Sequence, residues 1–263
     1  MLKNSDLAFQ LPLPGGAEVK VGVPTKVALM NKIITRLAEG EGFALATLNL
    51  DHVVKLRQPG PFREAYALQD MVVADGNPIV WLSRLANRPV ELVPGSELIN
   101  PLCDLAAANG WPVAFLGSTE ETLATAGAEL SRRYPGLEIA AQVAPPFGLD
   151  PEGEEAADLL RQIQVSGARL CFLALGAPKQ EILAMRGRTL APACGFVSIG
   201  AGLDFIAGTQ ARAPAWVRAI AMEWFWRMVG NPKRLARRYI LCALTLPSLA
   251  WRVWRARGPA SPS

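Results

Sequence analysis

Three groups of residues in this 263-residue chain have types and spacings suited to chemistry. The first is Asp75, which follows the apolar run Met71-Val-Val-Ala and precedes Gly76. Asp-Gly is a frequent turn pair, so a structural role is one reading. A carboxylate at a strand edge acting as a general base is the other. The second group is Thr47 and Asn49, at the exit of an apolar run over 43–48. They serve either as turn and cap residues or, if the two strands are neighbours, as polar groups on the edge that carries Asp75. The third is Leu170-Cys-Phe-Leu-Ala-Leu-Gly176-Ala-Pro-Lys-Gln-Glu181. Here a buried strand turns tightly into a helix opened by Pro178, and in a parallel sheet such turns lie at the ligand-binding edge. The free N–H groups of a helix start hold anions. Lys179, Gln180 and Glu181 add a cation, an amide and a carboxylate at that point.

The elements that must position these groups alternate along the chain. Strands are expected over 18–23, 43–48, 71–74, 112–116, 137–143, 170–175 and 195–199. Helices are expected over 27–38, 79–85, 97–108 and 150–165, with one more after each of Asp51, Ser118 and Pro178. Asp51 is the expected cap of the helix after Asn49. Ser118-Thr-Glu-Glu121 reads as a capping box, and Asp150-Pro151 as an N-cap and first-turn pair. Alternation from 43 to 200 implies an α/β fold: a Rossmann-like, mostly parallel sheet with helices on both faces.

Charge divides the chain unevenly. The net charge is +4, yet residues 212–257 carry ten Lys or Arg against Glu223 alone, so that segment is +9 and the rest −5. Five of the seven tryptophans lie there too. Trp216, Ile220, Trp224 and Met228 share one helical face, Gly230 stops that helix, and Asn231-Pro232 starts another. The apolar stretch 239–251 is too short, and too interrupted by Pro247, to span a bilayer. Arginine heads with tryptophan and leucine bodies suit a helix lying in the interface of an anionic membrane. The competing reading packs these aromatics on the core or on a second copy, as a homo-oligomer. Nucleic acid is not expected as a partner, because no stacking platform or groove-reading motif accompanies the charge. The expected organisation is an α/β core over 1–208, a membrane-associating helical appendage over 209–257 and a disordered tail over 258–263.

Several chemistries are disfavoured. Gly200-Ala-Gly-Leu-Asp204-Phe205 lacks the third glycine of a dinucleotide fingerprint and sits at the last strand, not the first. The one histidine, His52, has no cysteine or carboxylate cluster at ligand spacing, so neither a metal nor a cofactor is expected. It also lacks a nucleophile elbow for a hydrolase and reads as a first-turn helix residue. No Asp-x-Asp pair is present to hold a divalent ion on a sugar diphosphate. The four cysteines form no CxxC pair and read as reduced core residues. The N-terminus has Lys3, Asp6 and prolines instead of an apolar signal core, which fits the cytoplasm.

Taken in order, Thr47-Leu-Asn49, Ala74-Asp75-Gly76, Phe115-Leu-Gly117, Tyr134-Pro-Gly136 and Pro146-Phe-Gly148 form one series. Leu175-Gly-Ala-Pro-Lys-Gln-Glu181, Gly200-Ala-Gly-Leu-Asp204-Phe205 and Ala207-Gly208 continue it. Arg212-Ala-Pro214, Glu223-Trp224, Arg227, Pro232, Arg234 and Arg238-Tyr239 complete it. The series resembles the WecG/TagA/CpsF family of bacterial glycosyltransferases over about residues 19–240. The resemblance implies an inverting, metal-independent transfer from a UDP-sugar donor to a polyprenyl-diphosphate-linked sugar acceptor. It places the enzyme peripherally on the inner face of the cell membrane, in surface or exopolysaccharide synthesis. It assigns Asp75 as the catalytic base. Thr47 and Asn49 become active-site polar residues and Gln180 a residue near the nucleotide sugar, joined by arginines, among them Arg212, Arg227 and Arg234, from an appendage that closes over the site. Gly176, Glu181 and Asp204 are expected beside them as substrate-binding residues.

One departure stands out. Many members carry an arginine before the turn that corresponds to Val93-Pro94-Gly95, where this chain has Leu92 preceded by Glu91. Arg84 and Arg88 are the candidates to supply that charge. Two other functions use the same residues: a cytosolic sugar-nucleotide epimerase or isomerase, and a non-catalytic nucleotide-binding scaffold at the membrane surface.

Overall fold

A computed structural model describes residues 8–211, 213–214, 216–217, 222–230 and 232–257, with Arg227 and Arg234 described by backbone alone. Arg212, Ile220, Asn231 and the expected tail over 258–263 therefore lie outside the described residues. An antiparallel hairpin opens the chain, β1 (Phe9–Pro12) pairing with β2 (Glu18–Val21) across the Pro14–Gly16 turn. Then come α1 (Lys26–Ala38), β3 (Phe43–Leu48), α2 (Leu50–Leu56), α3 (Pro61–Ala67), β4 (Met71–Ala74), α4 (Asn77–Leu85) and α5 (Gly95–Asn109). They are followed by β5 (Val113–Gly117), α6 (Glu120–Arg133), β6 (Ile139–Val143), α7 (Glu154–Val165) and β7 (Leu170–Ala174). The last described elements are α8 (Lys179–Leu190), β8 (Gly195–Ser198), α9 (Gly202–Ala207), α10 (Glu223–Gly230) and α11 (Pro232–Ala256).

Six strands form one all-parallel sheet in the order β4-β3-β8-β7-β5-β6. Sheets of this kind are covered on both faces, so their strands read as continuous apolar runs. β3, β4, β5, β7 and β8 are buried throughout. Their side chains alternate between faces. Phe43, Leu45, Phe115, Phe172 and Val197 pack against α1, α5, α6 and α9. Ala44, Leu116, Cys171, Leu173 and Phe196 pack against α7 and α8. A third cluster joins the hairpin (Phe9, Leu11, Val19, Val21) to Ala46, Leu48, Val72, α2 and α4.

The helix starts differ from the expectations at three points, each for a local reason. Asn49, not Asp51, caps α2, because its extended backbone lets Oδ1 accept from His52 N at 3.0 Å. Ser118 is not the cap of α6: its backbone is left-handed (φ 58°) and its Oγ donates to Asp204 Oδ1 at 3.1 Å, so Thr119 takes the Thr122 N–H. Asp150 makes a separate turn by accepting from Glu152 N at 3.0 Å, and α7 starts later, at Glu154 behind Gly153.

The C-terminal helices also differ. Met222 is outside any helix, so the face from Trp216 to Met228 does not belong to one continuous helix. α11 runs for 25 residues straight through Pro247. Proline removes one helical hydrogen bond, but buried residues on both sides of it hold the helix to the domain: Cys242 and Thr245 before, Leu249 and Val253 after. Leu249 and Val253 belong to the same core cluster as Phe9 and Leu48, and α11 packs on α2, α4 and β1.

α5 approaches the sheet closely enough to exclude any side chain at its first residue. A Cβ on Gly95 would sit 2.6 Å from the Ser198 carbonyl oxygen and 3.2 Å from Thr47 Cγ2. Gly95→Ala is accordingly expected to destabilise the fold by about 1–3 kcal/mol. The check is a urea titration, with the midpoint lowered and the slope unchanged.

Candidate active site

The parallel register places the exits of β3 and β4 side by side. Leu48 pairs with Ala74, and Asp75 N donates to Leu48 O at 2.7 Å. Asn49 and Asp75 thus leave adjacent strands at the same level. Gly76 follows with φ 127°, a conformation that favours glycine, and a Cβ there would lie 3.8 Å from Asn49 Cβ. Asp75 is half-buried at the open edge. The segment after α4 returns beside β4, where Val93 N donates to Ala74 O at 2.8 Å, and so brings the start of α5 to the same edge.

Thr47 is buried beneath that helix start. Its carbonyl accepts from Tyr66 Oη at 3.2 Å, and Tyr66 Oη lies 2.9 Å from His52 Nδ1. With the phenol hydrogen given to Thr47, Nδ1 is the donor to Tyr66. Burial first, then the charges of Lys55 and others, lowers the His52 pKa to about 3, so its ring is neutral near pH 7. Burial, reinforced by the charges of Glu181 and then Asp75, holds the Tyr66 phenol well above its usual range. Asp75 and Glu181 are therefore both within electrostatic reach of one hydroxyl.

The β7–α8 turn forms the next part of the edge. Gly176 is exposed, and Ala177 O accepts from Lys55 Nζ at 3.0 Å, which ties this turn to α2. Lys55 also meets Asp51 Oδ2 at 2.9 Å, and Asp51 Oδ1 lies 3.1 Å from Arg238 Nε on α11. Gln180 is buried with both ends of its amide engaged: Nε2 donates to Glu181 Oε1 at 2.8 Å, and Oε1 accepts from Gly200 N at 3.1 Å. Glu181 is 0% exposed, and burial raises its pKa to about 7. Its carboxylate, expected at the substrate, is held inside the protein against the Gln180 amide and 3.9 Å from His52 Nδ1.

Asp204 lies farther along. Its Oδ1 accepts from Ser118 Oγ at 3.1 Å and from Thr209 Oγ1 at 3.4 Å, which places it by the exit of β5. Four strand spacings separate β5 from β4, about 19 Å, so Asp204 and Asp75 do not share one cluster. Arg227 is on α10 and Arg234 in the first turns of α11, by backbone position. Leu92 is exposed, and Glu91 beside it is drawn away to the start of α1, where Oε2 accepts from Lys26 N at 2.7 Å. Arg84 is in the last turn of α4, whose first turn follows Gly76, so its backbone stands at the far end of that helix from Asp75.

Four residues that sequence reasoning left out of the site surround it: His52, Tyr66, Lys55 and Ser118. Gly60-Pro61 was the available signal for α3, the seven-residue helix that carries Tyr66. Nothing local to Ser118 announces its bond to a residue 86 positions away.

Comparison with known proteins places this edge in a chemical context. The model of the Glycosyl transferase WecG/TagA/CpsF family matches residues 17–261. A Bacillus spizizenii protein named N-acetylglucosaminyldiphosphoundecaprenol N-acetyl-beta-D-mannosaminyltransferase is 28% identical over 204 residues, covering 77% of each chain. The family match extends from the turn before β2 to beyond the end of α11, so it takes in the whole sheet, every strand exit described above and both C-terminal helices. The chain belongs to the WecG/TagA/CpsF family of glycosyltransferases.

Proposed function

We propose that this glycosyltransferase moves a sugar from a UDP-sugar to the terminal sugar of a polyprenyl diphosphate, with inversion, at the cytoplasmic face of the membrane. The observation that carries the reading is the placement of Asp75, a half-buried carboxylate at the level of Asn49 on an edge bordered by the β7–α8 turn and the start of α5. The relative's name supports the substrate class, since it describes transfer of an aminosugar to a sugar on diphosphoundecaprenol.

In this mechanism the acceptor hydroxyl oxygen attacks the anomeric carbon while the bond from that carbon to the diphosphate oxygen breaks. UDP leaves with the bonding electrons, and Asp75 takes the hydroxyl proton. One displacement inverts the anomeric centre. The separation of Asp75 from Asp204 suits a donor laid across the strand exits, with transfer at the β3–β4 side. The start of α8 and the arginines of the tail, Arg212, Arg227 and Arg234, would carry the charge on the diphosphate. No metal is required in this scheme. Substitution of Asp75 by Asn is expected to lower kcat about a hundredfold to ten-thousandfold while UDP binding persists. Full turnover in that variant overturns the base assignment. Activity should also survive EDTA, and inhibition reversed by manganese would overturn the metal-free scheme.

The C-terminal helices support membrane attachment. None of the described helices is long and apolar enough to cross a membrane. α11 instead buries one face in the domain and turns Ile240, Leu241, Leu244 and Trp251 outward, with Leu244 72% exposed. Lys233 and Arg237 precede that stripe, and Arg252, Arg255 and Arg257 follow it. Arg255 and Arg257 stand over the Trp251 and Trp254 rings at 6.0 and 4.9 Å. Trp224, Phe225 and Trp226 extend the exposed aromatic surface onto α10. This is the composition of an interfacial helix. Leu244→Glu with Trp251→Glu should abolish sedimentation with phosphatidylglycerol vesicles and leave the melting temperature unchanged. Retained sedimentation overturns membrane docking by this face. A wild-type dimer that the same pair of substitutions dissolves would assign the face to a second copy.

A further inference from the structure

Behind the candidate donor wall lies a fully buried acid that the transfer scheme does not use. Glu181 Oε1 accepts from Gln180 Nε2 at 2.8 Å, and Gln180 Oε1 accepts from Gly200 N at 3.1 Å. These two bonds leave the carboxamide one orientation. Flipped, its oxygen would face the carboxylate oxygen of Glu181 and its NH2 would face the Gly200 N–H, two repulsive pairs. Glu181 is itself held: its main-chain carbonyl accepts from Gln69 Nε2 at 3.1 Å, and its carboxylate lies 3.9 Å from His52 Nδ1. His52 and Tyr66 carry the linkage on to Asn49 and Thr47. The exits of β3 and β8 and the start of α8 are therefore braced from beneath by one buried polar unit.

A carboxyl group here has no packing rationale. Its Oε2 has no hydrogen-bond partner among the described residues, and burying such a group is costly. An apolar side chain of similar size would serve packing better. What an apolar residue cannot supply is an acceptor for Gln180.

We propose that Glu181 is a positioning residue, which sets the orientation of the Gln180 carboxamide and the Gly200 turn and thereby the nucleotide-binding wall, without touching substrate. The inference rests on the reading of this wall as the donor side. It reassigns Glu181 from a ligand contact to a group acting through its neighbour. Losing one such hydrogen bond corresponds to about a tenfold change in binding.

The test uses the full chain, UDP as the probe and calorimetric titration as the readout, in a double-mutant cycle. Glu181→Leu is expected to weaken UDP binding about tenfold, and Gln180→Ala by a similar factor. The combined variant should bind no worse than Gln180→Ala alone. Glu181→Gln, which keeps an acceptor oxygen, should restore most of the affinity lost in Glu181→Leu. A merely structural role would lower the melting temperature without making the second substitution silent. Losses that add, UDP binding by Glu181→Leu equal to that of the wild type, or failure of Glu181→Gln to rescue would each overturn the proposal. Should Glu181→Leu not fold, Glu181→Met takes its place in the cycle with the same outcomes. Wild-type protein that binds no UDP would instead overturn the donor-side reading on which the inference rests.

Discussion

Everything at the site depends on the parallel register between β3 and β4. The 2.7 Å bond from Asp75 N to Leu48 O fixes the level at which the two chains leave the sheet. A shift of one residue would turn the Thr47 side chain onto the opposite face. It would also move Phe43 and Leu45 out of one core and Ala46 and Leu48 out of the other. Apolar packing on both faces thus enforces the alignment of Asn49 with Asp75, and the chemistry inherits its geometry from the core.

The strand exits are held by polar contacts that bridge distant parts of the chain. Asp51 joins Lys55 and Arg238, and Lys55 reaches the Ala177 carbonyl. Asp204 gathers Ser118 and Thr209. Glu181, His52 and Tyr66 fill the space beneath. A sheet with so apolar an interior concentrates its polar side chains where the strands end, and the buried ones among them, His52, Tyr66, Gln180 and Glu181, need one another as partners.

What could be read from the sequence follows from the range of each interaction. Strand identity was legible because both-face burial writes itself as uninterrupted apolar runs, as in Phe43–Leu48 and Leu170–Ala174. The expected order of alternating elements led to the correct fold class. Helix caps were read one or two residues off at Asn49 and Thr119, since Asx and Ser/Thr side chains compete for the same N–H groups and the backbone angle decides. The continuity of α11 through Pro247 was not legible, because it depends on Leu249 and Val253 finding the N-terminal hairpin more than two hundred residues earlier in the chain. The sealing of Glu181 was likewise hidden: a carboxylate next to a glutamine in a first helical turn gives no sign of which way it faces.

That union of the first strand with the last helix constrains how the molecule can move. Leu249 and Val253 share a core with Phe9, Leu11 and Leu48, so α11 cannot swing outward without opening the domain. The Asp51 and Lys55 contacts add a second tether close to the β7–α8 turn. The outward stripe through Leu244 and Trp251 is therefore a rigid keel, not a flexible leash. Any plane that holds this stripe also fixes the tilt and height of the sheet edge above it. A reactant anchored in that plane would meet the edge that carries Asp75 at one standing angle, and its search would shrink from three dimensions to two.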